Sequence, residues 1–204
     1  MSLTPTKARE LSHKLAGSDH EQALSVARDI KDPWFRCQAL SQVARYWPRV
    51  NYSPLITQAV KAADSQTDIY KSVTVSAWPI RACLERENPE KANFLLERYT
   101  PAATQIENMG SRSESLFMLF QAAKPFAASL WKPVFCALVE ATEPALAWRQ
   151  GRNIRWAAAM VSRDNPELVL ETLHRLSDER TITAINRDLQ NRKYAEPRPF
   201  FWLR

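Results

Sequence analysis

Glycine is scarce in this chain, three residues in 204 against the ~7% usual in soluble proteins. That shortage argues against Gly-rich phosphate loops and against folds that turn sharply many times. Cysteine is equally sparse. Cys37, Cys83 and Cys136 are odd in number, widely separated and without Cys-x-x-Cys spacing, which fits reduced thiols better than a disulfide framework. Long apolar runs are missing too. The strongest, Leu116–Phe120 and Ala157–Val161, fall well short of the ~20 residues that span a bilayer. Residues 1–20 carry Lys7, Arg9, Glu10, His13, Lys14 and Asp19 with no apolar stretch, so no signal peptide is visible. Together these absences predict a soluble cytoplasmic protein.

Catalytic signatures are also lacking. His13, His20 and His174 show no His-x-x-x-His spacing, and no metal is expected. The cysteines fall in helical, apolar surroundings, where inert buried thiols are the default. The acidic pairs Glu85/Glu87 and Asp178/Glu179 stand near helix ends, the usual place for solvated or dipole-compensating charge. The sequence therefore predicts no cofactor and no catalytic residue.

What is present is a helical grammar. Apolar residues make up 45% of the chain and Trp occurs seven times, enough surface to offset chain entropy. Asn88-Pro89-Glu90 and Asn165-Pro166-Glu167 each put a capping amide before a first-turn proline and a carboxylate at the positive end of the dipole. Thr4-Pro5, Asp32-Pro33 and Ser53-Pro54 follow the same logic, which reconciles thirteen prolines with a helical chain. Apolar residues recur at helical spacing, as in Ala23, Leu24, Ala27 and Ile30 or Leu170, Leu173 and Leu176. The expected helices are 5–16, 20–31, 33–47, 54–64, 67–86 with a kink or break at Pro79, 89–98, 112–123, 133–141, 144–162, 166–176 and 178–192. Taken in pairs from residue 20, the first members start near 20, 54, 89, 133 and 166, in steps of 34, 35, 44 and 33 residues. A period of about 35 is the mark of stacked helical hairpins.

The run Ala23-Leu24-Ser25-Val26-Ala27, continuing through Asp32-Pro33-Trp34-Phe35 to Val43-Ala44, resembles bacterial αα-repeats of the tetratricopeptide-like or HEAT-like type. The tetratricopeptide consensus itself is not met. The resemblance implies an all-α fold: a right-handed α-solenoid of about five stacked antiparallel hairpins forming a single domain over 1–204. Residues 1–19 would cap it, 20–192 would form the hairpins and 193–204 a tail. It also implies a binding surface and no catalytic residue.

Three features are candidates for function. A basic residue recurs at the start of each second helix: Arg36, Lys71, Arg112, Arg152 and Arg180. It reads either as a repeated salt bridge, to Asp29 or Glu140 for example, or as a basic ladder along a groove. Arg149, Arg152, Arg155 and Arg163 cluster without an acidic residue, with Trp148 and Trp156 among them. Spacing by three puts 149, 152 and 155 on one stripe that can face an acidic partner or a phosphate backbone. The competing reading packs Trp148 and Trp156 with Ala145, Ala159 and Met160 between hairpins. Finally, Phe200-Phe201-Trp202-Leu203 are expected to fold back over the last hairpin as a cap, the alternative being a docking peptide for another protein or a second copy.

These features predict a non-enzymatic scaffold that binds a peptide or helix of another protein. Trp34, Arg36, Lys71, Arg112, Trp148, Arg149, Arg152 and Arg155 would line the binding face. The alternative is a nucleic-acid binder using the Arg/Trp stripe of 148–156, similar at fold level to the HEAT-like alkylpurine DNA glycosylases. A homodimer through the aromatic tail is a further expectation.

Overall fold

The computed structural model describes residues 3–48, 50–141, 148–197 and 199–202, and every regular element in them is an α-helix. In chain order these are α1 (Pro5–Leu15), α2 (His20–Asp29), α3 (Pro33–Tyr46), α4 (Ser53–Asp64), α5 (Ile69–Glu85), α6 (Pro89–Thr104), α7 (Met109–Ala123), α8 (Ala128–Glu140), α9 (Trp148–Ser162), α10 (Pro166–Leu173) and α11 (Glu179–Gln190). None is long and apolar enough to cross a membrane.

Most helices open on a side chain that takes up an orphan backbone N–H. Asp32 accepts from Trp34 N and Phe35 N, Asn88 from Lys91 N, and Asn165 from Leu168 N. Asp19, Asp68, Asn108 and Asp178 do the same for α2, α5, α7 and α11. Ser53 departs from the expected cap: it is already helical, and Tyr52 precedes it without a side-chain cap bond.

Among the described residues three prolines stand inside helices, where the sequence predicted ends, starts or a break. Pro101 lies within α6, Pro133 within α8 and Pro79 within α5. A proline removes one helix hydrogen bond without ending the helix when packing fixes the turns on both sides. Leu130 and Trp131 before Pro133, and Val134, Phe135 and Leu138 after it, are all buried. In α5 the missing amide would have bonded Val75 O, and the Cys37 thiol of α3 donates to that carbonyl at 3.6 Å. With α8 opening at Ala128 rather than 133, alternate helices start at His20, Ser53, Pro89, Ala128 and Pro166, and the third step shortens from 44 to 39 residues.

The helices cluster into two compact units, one running to Tyr99 with the chain end from Pro199 on, the other beginning at Thr100; α6 starts in the first and finishes in the second. In the first unit α3 is central, packing on α1, α2, α4 and α5. Its Cys37, Ala39, Leu40, Val43 and Ala44 are all buried, and the small residues let the neighbouring backbones come close. In the second unit α7 and α9 pack on each other, α8 on both, and α10 and α11 on α9. Its core is aromatic: Phe120 meets Phe117, Trp131 and Phe135 with ring centroids 6.0–6.3 Å apart.

A buried cation closes α7. Lys124 is 4% exposed, lies 4.6 Å above the Trp131 ring and reaches Asp164 at 2.5 Å. Removing the acid strands the ammonium, while removing the cation strands nothing, because Asp164 is more than half exposed. Asp164→Ala is expected to cost about 1–2 kcal/mol and Lys124→Met much less, read as urea midpoints at neutral pH.

Candidate binding site

Trp148, Arg152 and Trp156 follow one another at four-residue intervals along α9 and so share one stripe. The Arg152 guanidinium lies over both indoles, 5.0 Å from the Trp148 centroid and 5.1 Å from that of Trp156. Trp156 in turn leans on Phe117 of α7 at 6.1 Å, whereas Trp148 is 69% exposed. The stack therefore runs from the core outward to solvent. Arg149 adds a further guanidinium 5.7 Å from the Trp148 ring.

Across from this stripe stands the first half of α11. Asp178 caps it by accepting from Thr181 N at 2.8 Å, and the bonds from Thr181 hold its carboxyl below the usual range. Gly151 is the reason α11 comes so close. A Cβ at that position would stand 2.8 Å from Thr181 Oγ1, so the helix gives up about 1 kcal/mol of propensity there for the approach. The result is a cleft of about 430 Å³ lined by Trp148, Gly151, Arg152, Arg155, Trp156, Asp178, Arg180, Thr181 and Ala184.

The electrostatics of the cleft are lopsided. Three arginines line it against one aspartate. Arg155 is committed to α11, giving Asp188 two bonds at 2.5 and 2.9 Å. That pair holds the Asp188 carboxyl below its ordinary value and raises the Arg155 guanidinium further. Arg180 is exposed, and its positive charge lies near Asp178 without a close ion pair among the described residues. Arg152 approaches Glu114 of α7 only at 3.7 Å, and its enclosed Nε has no hydrogen-bond partner among the described residues. An anion entering beside Trp148 thus meets the exposed edge of the Arg152 guanidinium, the exposed Arg180 and a flat ring. The lining holds no His or Cys; its polar side chains are the three arginines, Asp178 and Thr181, and the last two are already engaged in the cap of α11.

The other residues singled out in the sequence lie elsewhere. Arg112 holds backbone, donating to Ile106 O at 2.8 Å, Glu107 O at 3.1 Å and Ala141 O at 3.3 Å. Arg36, partly exposed on α3, and Lys71, exposed on α5, have no partner among the described residues. Glu140, expected to pair with the basic ladder, is taken by Arg175. Of the residues expected to bury the indoles, Ala145 lies outside the described residues. Trp148 is open to solvent rather than packed between helices, because its ring serves as the outer plate of the Arg152 stack.

A second constellation, in the first unit, went unread in the sequence. Glu85, expected to be solvated, is partly buried at the end of α5, where Arg45 of α3 and Arg81 both pair with it and Trp202 Nε1 donates to it at 3.1 Å. Those bonds outweigh the cost of burial and keep its carboxyl below the usual range. Trp34 of α3 stands 6.3 Å from Trp78 of α5 on the same side. The tail therefore does not cap the last hairpin. Residues 195 and 196 do run along α9, through Ala195 N to Ala159 O at 3.0 Å and the Glu196–Arg163 pair. Phe200, Phe201 and Trp202 then settle on α3 and α5, where Trp78 and two arginines give aromatic side chains a surface; Leu203 lies outside the described residues. The signal that was available is Arg81 and Glu85 at i, i+4.

Among the described residues no three His, Cys, Asp or Glu side chains are grouped to hold a metal ion. Cys37 and Cys83 are buried, which pushes both thiols up, that of Cys83 to about 12, so neither is a ready nucleophile. Cys136 is partly exposed rather than buried.

No family model, curated protein or solved structure matches this chain.

Proposed function

We propose that this chain is a non-enzymatic binding protein, each of its units a stack of helical hairpins of α-solenoid kind, that holds an acidic segment of a partner protein in the α9/α11 cleft. The stacking is supported by contacts between alternate helices, α1 with α3 and α3 with α5 in one unit, α7 with α9 and α9 with α11 in the other. The observation that carries the binding role is Arg152, its guanidinium held between Trp148 and Trp156 while about a third of the side chain stays exposed. A guanidinium fixed by two rings is already ordered, so a carboxylate that pairs with it loses little to side-chain entropy.

A fluorescently labelled Asp/Glu-rich peptide is the direct probe. It is expected to bind in the micromolar range at low salt and to weaken as salt rises. Trp148→Ala removes an exposed ring without touching the core and should weaken binding roughly tenfold. Unchanged affinity in that variant contradicts the assignment.

A second reading, single-stranded nucleic acid, is favoured by one feature, the open Trp148 face flanked by Arg149 and Arg152. An oligonucleotide that displaces the peptide and binds with a steep logarithmic dependence on salt would move the assignment to this class.

A further inference from the structure

We infer that the α3/α5 face of the first unit is a recognition site for a bent aromatic segment of a partner protein, occupied in the free chain by the protein's own residues 200–202. It is distinct from the α9/α11 cleft and does not depend on it.

The tail behaves as a docked peptide. Among the described residues it has no regular structure from 193 onward. Among the described residues, the backbone of 199–202 makes only a local bond, Trp202 N to Phe200 O. Among the described residues, side chains alone attach 199–202 to the helices of the first unit. Phe200 is 7% exposed, edge-on to Trp78 at 5.3 Å and 5.6 Å from the Arg81 guanidinium. Trp202 lies 4.2 Å beneath the Arg45 guanidinium and gives its indole N–H to Glu85. Two aromatic anchors at i and i+2, one of them a donor, are thus read by two arginines and a carboxylate that they hold in place. Phe201 between them sits at a bend and stays half exposed, its ring 6.1 Å from that of Trp78.

The tail also leaves something unused. Trp78 Nε1 is enclosed on this face and has no hydrogen-bond partner among the described residues. A buried donor left unsatisfied is unfavourable, and a segment that places a carbonyl there would satisfy it where the resident tail does not. This argues for a foreign segment over the tail of a second copy. A second copy offers only the same imperfect ligand, at micromolar concentration, against a tethered competitor whose effective concentration is of order millimolar.

The probe is a fluorescent, end-blocked peptide of sequence Pro-Arg-Pro-Phe-Phe-Trp, and the host is the full chain. In the variant Phe200→Ala/Trp202→Ala the resident tail loses both anchors, and the peptide is expected to bind at least ~10-fold more tightly than to the unaltered chain. Adding Glu85→Gln to that variant should weaken binding again several-fold. Equal affinity for the unaltered chain and a still-helical variant overturns the inference. A readout on the unaltered chain covers a variant that fails to fold. With the peptide in millimolar excess, the indole N–H resonances of Trp78 and Trp202 should move, and if both stay fixed the inference is overturned. A mass of two chains in solution that the tail variant abolishes would assign the face to a second copy and equally overturn it.

Discussion

Reversing two exposed charges at the cleft, Arg149→Glu with Arg180→Glu, is expected to lower affinity for an acidic peptide by on the order of 100-fold at low salt. Arg149 stands over the Trp148 ring, and Arg180 lines the opposite wall. Neither makes an ion pair among the described residues, so stability should change by no more than about 0.5 kcal/mol. Much of the loss should appear in the association rate and fade as salt rises, because exposed charges act through a screened field. The contrast is Arg155→Ala. It leaves Asp188, itself little exposed, without its bidentate partner, and should lower the melting temperature visibly. A charge reversal that unfolds the protein, or leaves peptide affinity intact, contradicts the roles given to these arginines.

The second large effect is one of pH and belongs to the first unit. His13 is buried, its Nε2 lying 3.4 Å from Gln38 O and its Nδ1 unpartnered among the described residues. Desolvation lowers its pKa from 6.5 to about 4, and the positive charges of Arg9 and Arg45 add to that effect. Between those two values the unfolded chain binds a proton that the folded chain refuses. The contribution of neutral His13 is therefore complete above about 6.5 and is lost as pH falls toward 4. Over the whole window it amounts to roughly 3 kcal/mol. The carboxylates held low by their partners, Glu85, Asp178 and Asp188, lose their contributions only as pH falls below the ordinary carboxylate range, so the upper part of the window reports on His13. Urea unfolding at pH 7.5 and 5 should show the loss in the unaltered chain, and His13→Leu should flatten it. An equal loss in the variant would mean that another group titrates.

Where a helix start is written locally, the sequence discloses it. Asn88, Asn165 and Asp32 cap the helices they were expected to cap, because a cap needs only its own next three residues. Proline misleads where tertiary packing decides. Pro101 and Pro133 look like boundaries until both flanks are known to be buried, and α8 begins at Ala127–Ala128 with no side-chain cap bond to announce it. The Arg/Trp cluster was legible as composition, but its geometry was not. Whether Arg155 faces solvent or Asp188 depends on a residue 33 positions away, and the close approach at Gly151 depends on Thr181. The tail was the hardest to place. Phe200 and Trp202 carry no mark of where they bind, and Trp202 reaches a glutamate 117 positions distant.

The assignment of the α9/α11 cleft is tested most directly by following the seven indole N–H resonances while an Asp/Glu-rich peptide is titrated into the full chain. Trp148 and Trp156 are expected to shift together and saturably, with Trp34, Trp47, Trp78, Trp131 and Trp202 unmoved. Saturable binding that leaves Trp148 and Trp156 in place would contradict the assignment.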